Sequence, residues 1–342
     1  MRRLSCWNMY KKMRKINIPI FVSHQGCPHQ CSFCNQKTIT GSGDAVTPHQ
    51  VRKAIEAALE TAPRAPVQTE VAFFGGSFTA IDAKLQEALL GAAKPFLDSG
   101  AVHGIRLSTR PDCIDDVVVE RLLRYGVTSV ELGVQSSDAE VITMNKRGHT
   151  FEDVKGAFSL LRAAGFEVGL QMMLGLYGST REKDIQTARD IAALKPDTTR
   201  IYPTVVLEGS PLCDLYRKGE YVPLTLEQAV DIAAAAYTIF KENGVRVLRM
   251  GLMASDTLSD GCVAGPQHPA FGELVLSRLY LYKMRRALEG KNGGEFTFYV
   301  HPSQVSQALG NKKENKTRIF REQGVNIRVK PHETVESGEI LW

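Results

Sequence analysis

The stretch Gly26-Cys27-Pro28-His29-Gln30-Cys31-Ser32-Phe33-Cys34-Asn35 places three cysteines in eight positions, with the spacing CxxxCxxC. It follows a β-rich run, Ile18–Ser23, that we expect to form the first strand. The chain has seven cysteines, and those outside this loop are scattered singly, unlike a disulfide framework. Short spacers allow one loop to present three thiolates to separate irons of a cubane cluster. The pattern predicts a [4Fe-4S] cluster held by Cys27, Cys31 and Cys34.

A cluster with three cysteine ligands leaves one iron without a protein ligand. Such an iron can chelate the amino and carboxylate groups of S-adenosylmethionine (SAM), whose sulfonium bond an electron then cleaves. A structural zinc site is one alternative, with His24 or His29 as fourth ligand, although zinc ligands usually form two separated pairs. A redox CxxC pair does not need the third cysteine, and buried free thiols are poorly placed in a polar loop. The spacing favours the iron–sulfur cluster.

The length of 342 residues predicts a large catalytic domain with a small appendage. Hydrophobic residues make up 43% and charged residues 23%, without an apolar run long enough to cross a bilayer. We therefore expect a soluble protein that does not enter a membrane. The N-terminal stretch lacks the apolar core of a secretory signal, which indicates a cytoplasmic location.

Both ends of the chain are basic, although the formal net charge is only +5. Residues 1–15 carry six basic side chains and no acidic one, and residues 311–330 carry seven basic against two acidic side chains. Such clustering favours a polyanionic partner. The alternative is that the basic segments are ordinary solvated ends.

Short β-rich runs alternate with amphipathic helical stretches, which is the pattern of βα units stacked around a parallel sheet. In the predicted helix 48–61, Thr47 can cap the start and Pro48 fits the first helical position. Glycines follow three helical stretches, at Gly126, Gly165 and Gly244, where a left-handed residue is needed before the next strand. This repeated order of helix, glycine and strand supports a barrel or an open barrel. The six predicted strands are Ile18–Ser23, Glu70–Phe74, Gly104–Ser108, Ser129–Val134, Glu167–Met172 and Arg200–Val205.

The stretch Ser255–Gly265 is rich in Ser, Asp and Gly and is predicted to be a loop. We place a domain boundary there. The expected division is a basic tail at residues 1–16, a barrel at 17–255 and a small α+β domain at 256–342.

The CxxxCxxC motif with an aromatic residue before its third cysteine, Phe33, resembles the signature of the radical SAM superfamily. The resemblance extends from Asn17 to about Ser255. It implies a partial (β/α)6 barrel, ligation of the cluster by the three cysteines and packing of Phe33 near the adenine of SAM. It also implies an external electron donor such as flavodoxin or ferredoxin.

Two further stretches resemble SAM-contacting motifs of this superfamily. The paired glycines Gly75 and Gly76 leave room for a ligand to approach the backbone. Together with Ser77 they resemble the motif that meets the SAM amino group, although Ser77 stands where glutamate is frequent. Ser108 and Thr109, at the end of the third strand, are candidates for binding the ribose. An ordinary tight turn and a helix cap are the respective alternatives.

The motifs GVQS at 133–136 and RGHT at 147–150 resemble the branch that contains the Elongator catalytic subunit and the oxygen-independent coproporphyrinogen oxidases. By this likeness Arg147 pairs with the SAM carboxylate, for which a guanidinium is well suited. Gln135 then contacts the ribose or the methionine part of SAM. The alternative for Arg147 is a salt bridge in solvent.

Polar residues also lie at the ends of the fifth and sixth strands, at Gln171 and Tyr202. Residues at such strand ends are suited to ligand contact, and Gln171 completes the cofactor-binding candidates. The neighbouring Met172 and Met173 are expected to fill the core.

Several stretches together resemble the radical SAM half of the Elongator catalytic subunit family, which carboxymethylates the wobble uridine of tRNA. The chain ends at Trp342 and is expected to leave no room for the acetyltransferase domain of that family, so the resemblance does not by itself imply the same reaction. The leading hypothesis is a radical SAM enzyme, a transferase or an oxidoreductase, that modifies RNA, with tRNA favoured. Alternatives are a radical SAM enzyme for a small molecule, such as a porphyrinogen-like or coenzyme precursor, and a non-catalytic metal-containing binding protein.

The stretch 309–315 supplies a glycine-started basic loop at a predicted helix N-terminus, a feature that can cradle backbone phosphates. It resembles the GxxG loop of the KH module, with Lys313 in place of the second glycine. The RNA-binding candidates are Lys312, Lys313 and Lys316. The alternative is a small αβ cap over the barrel mouth. Elsewhere in this region, Cys262 is expected to be a passive thiol, with a second redox group or hydrogen donor as the alternative.

Overall fold

The computed structural model of the chain describes residues 14–22, 27, 30–35, 46–61, 67–253 and 256–342. Most of the predicted basic tail, residues 1–13, lies outside these ranges, whereas residues 14–16 begin the first strand. Across the described ranges, no helix has the length and apolar character needed to span a membrane.

Seven of the described strands form one parallel sheet in the order β1-β2-β3-β4-β5-β6-β8. The expectation of a partial parallel barrel is confirmed, with β8 as a strand beyond the six predicted. In chain order the strands are β1 (Arg14–Val22), β2 (Val67–Gly75), β3 (Gly104–Thr109), β4 (Val127–Gln135), β5 (Glu167–Leu174), β6 (Thr198–Pro203), β7 (Val206–Leu207), β8 (Arg246–Met250), β9 (Cys262–Ala264), β10 (Glu295–Val300) and β11 (Asn326–Pro331).

Helices connect successive strands of this sheet and cover its outer face. In chain order they are α1 (Pro48–Glu60), α2 (Ala83–Asp98), α3 (Asp116–Arg124), α4 (Ala139–Met144), α5 (Phe151–Ala163), α6 (Arg181–Ala193), α7 (Pro211–Arg217), α8 (Leu226–Glu242), α9 (Asp256–Gly261), α10 (Phe271–Ala287), α11 (Val305–Leu309) and α12 (Glu314–Gln323).

Local sequence signals account for several of these boundaries. At the start of α1, the Thr47 hydroxyl accepts from the Gln50 backbone N–H, and the Gln50 side chain accepts from the Thr47 backbone N–H. Helix α1 then buries Val51 and Ile55 against the sheet. The predicted left-handed glycines are confirmed, with φ angles of 74°, 88° and 73° at Gly126, Gly165 and Gly244.

The two faces of the sheet differ in character because side chains alternate along each strand. In β4, Val130, Leu132 and Val134 pack into the apolar core beneath the helices. Glu131 points to the opposite, inner face, where its carboxylate lies 2.7 Å from Nε of Arg200. The Arg200 guanidinium lies 5.2 Å from the centre of the Phe74 ring. This contact joins β2 and β6, which are not neighbours, so the sheet is curled around a partly polar interior.

The stretch predicted to be a loop, Ser255–Gly265, instead contains α9 and β9, although 254–255 lie outside the described residues. Strand β9 pairs antiparallel with β7, with Ala264 opposite Val206. The loop prediction was wrong because tertiary pairing outweighed the local Ser, Asp and Gly content.

A second apolar core lies in the C-terminal part, where α10, α11 and α12 pack on the parallel pair of β10 and β11. Helix α10 serves both cores, since Phe271 and Val275 belong to the barrel core whereas Leu281 and Met284 belong to the second. The domain boundary at 255/256 remains a prediction.

Two neighbouring leucines on α3 test the packing of the barrel core, to which Leu122 belongs. Leu122 is 0% exposed, whereas Leu123 is 50% exposed on the same helix. We expect Leu122→Ala to lower the free energy of unfolding by about 2–5 kcal/mol, because it removes buried methyl groups and leaves a cavity. Leu123→Ala, the matched control, should change it by no more than about 0.5 kcal/mol. Urea unfolding measures both values, and equal losses would contradict the assigned orientation of α3.

Candidate active site

Parallel pairing brings the carboxyl ends of seven strands to one edge of the barrel. The cysteine loop, which carries Phe33, follows β1 at this edge. The other predicted SAM-contacting residues lie at or near the end of β2, β3, β4 or β5 or in the connections that follow. The structure therefore gathers these residues on one side of the molecule. We call this side the strand-end face.

The cysteine loop is held by a buried asparagine that the sequence reasoning did not single out. The Ser32 hydroxyl donates to Oδ1 of Asn145 (2.5 Å), and the Ser32 backbone N–H donates to the Asn145 carbonyl (3.1 Å). Asn145 is 0% exposed, and its Nδ2 donates to the carbonyls of Val141 and Tyr177. The backbone N–H of Leu212 donates to the Ser32 carbonyl. Two distant segments thus fix the loop that carries Cys31 and Cys34.

Phe33 packs into an apolar layer beneath this loop. It contacts a cluster that includes Met173 and Tyr202 on one side and one that includes Leu212 and Tyr177 on the other. The expectation that Met173 fills the core is confirmed, since it is buried in this layer. The aromatic residue before the third cysteine therefore faces the ends of β5 and β6.

The paired glycines after β2 bring the next residue to the cysteine loop. Gly75 has φ of 110°, and a Cβ there would lie 3.2 Å from the carbonyl carbon and oxygen of Val22. The backbone N–H of Gly76 donates to the Val22 carbonyl at 2.8 Å. The Ser77 hydroxyl lies 3.6 Å from Sγ of Cys27. Glycine at position 75 thus allows the close approach that places Ser77 beside a cysteine.

The two hydroxyl residues at the end of β3 have different surroundings. The Thr109 hydroxyl is buried, lies 2.6 Å from that of Thr79 and accepts from the Thr79 backbone N–H. Ser108 is half-buried and lies on the inner face of the barrel with Arg106. The Thr109 hydroxyl thus braces the loop after β2, and ribose binding by Ser108 and Thr109 stays a prediction.

At the end of β4, Gln135 has φ of 68°, a left-handed conformation that costs a non-glycine residue about 1–3 kcal/mol. Its Oε1 accepts from Nε2 of Gln171 at 3.1 Å. A Cβ on Gly133 would lie 2.9 Å from Nε2 of Gln135 and 3.2 Å from Nη2 of Arg147. The bare glycine therefore lets these two predicted site residues converge, and backbone strain at such a position is typical of functional sites.

Arg147 is directed at the cysteine loop rather than at solvent. Its Nη1 donates to Sγ of Cys31 at 3.3 Å, and its Nη2 donates to the Gly133 carbonyl at 2.8 Å. Both Arg147 and Cys31 are buried. The alternative of a solvent-exposed salt bridge for Arg147 is therefore wrong.

A second buried arginine, Arg110, supports the first and was missed as a site residue. Its Nε and Nη2 donate to the two carboxylate oxygens of Asp112 at 2.9 and 2.8 Å. Its Nη2 also donates to the Arg147 carbonyl. Near the Arg147 side chain, three buried nitrogens have no hydrogen-bond partner among the described residues: Nη1 of Arg110, Nε of Arg147 and Nδ1 of His149.

His149 is held in its neutral form. Its Nε2–H donates to the Val134 carbonyl at 3.2 Å. Burial, together with the positive charge of Arg147, lowers the pKa of His149 to about 4. The imidazole therefore adds no positive charge to this corner at neutral pH.

The donor set at the strand-end face fits an iron–sulfur cluster better than it fits a bare cation. In the part of the chain that the structure describes, no three histidine, cysteine or acidic side chains form a group that could hold a metal ion as they stand. The three thiols do share one loop, and the Arg147 guanidinium donates to the sulfur of Cys31, so a positive charge lies where a cluster with cysteine ligands would bind. His24 and His29, the predicted alternative zinc ligands, lie outside the described residues.

The RNA-binding candidates lie elsewhere, in the C-terminal part. Lys312 and Lys313 both have left-handed backbone conformations, with φ of 49° and 61°, between α11 and α12. Lys316 follows on the first turns of α12. Cys262, in β9, is half-buried, and its pKa is raised by burial, consistent with an unreactive thiol.

A parallel partial barrel whose first strand leads into a CxxxCxxC loop is the architecture of radical SAM enzymes. The family model of the radical SAM superfamily matches residues 21–191, which is half of the chain. The model of the radical SAM C-terminal domain matches residues 196–280. The chain belongs to the radical SAM superfamily.

Individual relatives point to one branch of this superfamily. The tRNA uridine(34) acetyltransferase of Methanocaldococcus jannaschii is 29% identical over 313 residues, which cover 80% of this chain and 56% of that protein. Elongator complex protein 3 of Schizosaccharomyces pombe is 33% identical over 187 residues, covering 49% and 34%. The chain spans about half the length, or less, of these curated relatives.

A solved structure agrees with this assignment. Methanocaldococcus infernus Elp3 with an N-terminal deletion superposes with a TM-score of 0.63 at 26% identity, covering 81% of this chain and 64% of that one. The resemblance to the Elongator catalytic subunit inferred from the motifs is confirmed.

The neutral His149 predicts a specific pH dependence of stability. Since its folded pKa is about 4 and its unfolded pKa about 6.5, the unfolded chain binds more protons between these values. Its contribution to stability is therefore complete above pH 6.5 and is lost as the pH falls towards 4, by up to about 3 kcal/mol.

The measurement compares urea unfolding of the wild-type protein and His149→Gln from pH 7.5 to 4.5. The variant retains an N–H donor for the Val134 carbonyl but does not titrate. The free-energy difference between the two proteins should shrink or reverse as the pH falls. Parallel curves would show that His149 is not buried in its neutral form.

Proposed function

We propose that the strand-end face binds a [4Fe-4S] cluster and SAM and that this enzyme cleaves SAM reductively to modify RNA, with tRNA as the favoured substrate. The cofactor part rests on one observation above all. Arg147, from the connection after β4, reaches the sulfur of Cys31, from the loop after β1. A predicted SAM ligand and a predicted cluster ligand, 116 positions apart, are thus in direct contact.

Each residue of the face has a place in this proposal. Cys27, Cys31 and Cys34 would hold the cluster. When bound, the cluster supplies the electron that splits the sulfonium bond of SAM and yields a 5′-deoxyadenosyl radical. An external donor such as flavodoxin or ferredoxin would reduce it.

The remaining residues would hold SAM itself. The backbone at Gly75 and Gly76 would receive the amino group, with Ser77 beside it, and Arg147 the carboxylate. Gln135, fixed by Gln171, and Ser108 would contact the ribose, whereas Phe33 would pack near the adenine. These groups come from separate connections, so they can surround a cofactor that lies across the strand ends.

The RNA part is supported by the relatives and by the geometry of the C-terminal loop. Two relatives are named tRNA uridine(34) acetyltransferase and Elongator complex protein 3. In this chain the loop 310–313 starts at Gly310, where a Cβ would lie only 3.0 Å from Oγ of Ser277. Asn315 anchors the same loop, because its Nδ2 donates to Ser277 and to the Ala308 carbonyl.

The anchored loop presents its lysines outward. Lys312 and Lys313 are exposed, and the side chains of Lys312, Lys313 and Lys316 form no ion pair or hydrogen bond with other described residues. Unpaired cations on a rigid loop at a helix N-terminus are suited to phosphates of a nucleic-acid backbone. This surface would therefore add RNA affinity that does not depend on base sequence.

Cofactor chemistry is tested on anaerobically reconstituted protein supplied with dithionite and SAM. The wild-type protein should release 5′-deoxyadenosine, measured by liquid chromatography and mass spectrometry, and Cys31→Ala should release none. We expect Gly133→Ala to bind SAM about tenfold more weakly, equivalent to about 1.4 kcal/mol, because the added Cβ displaces Gln135 and Arg147.

The matched control is Gly156→Ala on α5, where a Cβ would meet no atom within 4 Å. It should bind SAM like the wild-type protein. Purified protein that contains zinc, or a cluster that does not cleave SAM, would refute the proposed chemistry. Equal SAM affinity in the two alanine variants would refute the assignment of Gln135 and Arg147.

RNA binding is tested with the triple variant Lys312→Gln, Lys313→Gln and Lys316→Gln. Loss of up to three phosphate contacts should reduce the slope of log K against log salt by about 2, measured with tRNA over a KCl series. Release of 5′-deoxyadenosine in the absence of RNA should be unchanged.

The control variant carries the same three changes at Lys53, Lys84 and Lys155, which are exposed on α1, α2 and α5. It should keep the wild-type salt slope. If both triple variants behave like the wild-type protein, the loop does not bind RNA, and a small-molecule substrate becomes the better explanation of this enzyme.

A further inference from the structure

Arg110 carries a buried positive charge that three hydrogen bonds hold in place. The residue is 2% exposed. Both carboxylate oxygens of Asp112 accept hydrogen bonds from its guanidinium, and Nη2 also donates to the Arg147 carbonyl. A bidentate pair of this kind fixes the plane of the guanidinium as well as its distance. Arg110 is therefore a rigid link between the end of β3 and the connection after β4.

The group that Arg110 holds is the one that contacts the cysteine loop. Its bond is to the backbone carbonyl of Arg147, whose side chain donates to Sγ of Cys31 at 3.3 Å. The other nitrogens of Arg147 do not fix the side chain as firmly, since in the part of the chain that the structure describes Nη2 has one carbonyl partner and Nε has none. The position of the Arg147 guanidinium on the sulfur thus depends on its backbone being held.

The charge state of Arg110 agrees with such a role. Burial by itself lowers the pKa of its guanidinium, but the hydrogen bonds and the charge of Asp112, together with the nearby thiol of Cys31, raise the pKa above its ordinary value. The group remains cationic, and its Nη1 has no hydrogen-bond partner in the described part of the chain.

We propose that Arg110 is a positioning residue that holds Arg147 on the sulfur of Cys31 and thereby makes the cluster easier to reduce. The inference rests on the proposed function, because it requires the cluster to be bound. A hydrogen bond from a cation to a ligating sulfur withdraws negative charge from the cluster, and hydrogen bonds to the sulfurs are among the factors that set its reduction potential. Without Arg110 this hydrogen bond would be lost or weakened.

The test is a redox titration of the reconstituted cluster without SAM, followed by electron paramagnetic resonance. Arg110→Gln and Arg147→Gln should each lower the ratio of reduced to oxidised cluster about tenfold at a fixed potential, equivalent to about 59 mV for one electron. If Arg110 acts through Arg147, the double variant should match Arg147→Gln alone. Additive shifts would overturn the proposal, as would an unchanged potential in Arg110→Gln.

The matched control is Arg162→Gln on α5, where an exposed arginine pairs with Asp197 at the opposite ends of the strands. It removes the same charge and should leave the potential unchanged. A purely structural role for Arg110 predicts loss of iron per chain without a change in the potential of the clusters that remain, and that result would also overturn the proposal.

Asp112→Asn provides a second route if Arg110→Gln does not fold. This change weakens the ion pair between Arg110 and residue 112 without removing Arg110. It should shift the reduction potential in the same direction by a smaller amount, and an unchanged potential would count against the proposal. A wild-type protein without a four-iron cluster refutes the proposed function and this inference with it. A cluster that cleaves SAM but has the same potential in all variants refutes the inference alone.

Discussion

Parallel hydrogen bonding between neighbouring strands is the constraint on which the candidate active site depends. Strands β1 to β6 and β8 run in one direction, so their carboxyl ends and the connections that follow meet at one face. Each βα unit then contributes a small number of groups: thiols after β1, glycines after β2, and arginines after β3 and β4. No unit contains a binding site by itself. The site exists only because the sheet brings units together that lie far apart in the sequence.

Hydrogen bonds between the loops that follow different strands fix the positions of these groups relative to one another. The backbone of Ser32 is bonded to Asn145 on one side and to Leu212 on the other, so the cysteine loop is positioned by segments after β4 and after β7. Because a buried polar group that loses its partner costs about 1–3 kcal/mol, these contacts resist rearrangement. Two backbone features also shape this face: the left-handed conformation of Gln135 and the missing side chain of Gly133. A side chain at position 133 would collide with those of Gln135 and Arg147. The face is therefore held in place by contacts within the protein itself.

The sequence predicted the features that local chemistry determines. The cysteine spacing, the Thr47 cap and the glycines at helix ends each depend on a few neighbouring residues, and the six strands follow from hydrophobic patterning. The partners of Asn145 and Arg110 were not predictable, because they are set by tertiary contacts between residues with no regular spacing. The same reason explains the missed strand β9, which exists through its pairing with β7. Thr109 is a further example. The sequence correctly placed it at a strand end, but only the structure shows that its hydroxyl is hydrogen-bonded to that of Thr79.

The distribution of charge separates the barrel interior from the strand-end face. Inside the barrel, the buried Arg106 and the partly buried Arg200 each have their own carboxylate, in the pairs Arg106–Glu70 and Arg200–Glu131. Such pairs are balanced, as burial requires. At the strand-end face, Arg110 is bonded to the carboxylate of Asp112, whereas the guanidinium of Arg147 is bonded to the Cys31 sulfur and the Gly133 carbonyl. Each of the two arginines keeps one buried nitrogen without a hydrogen-bond partner among the described residues. Since burying excess positive charge is costly, the positive charge beside the Cys31 sulfur favours negative groups there, such as the thiolate ligands and the cofactor carboxylate of the proposed function.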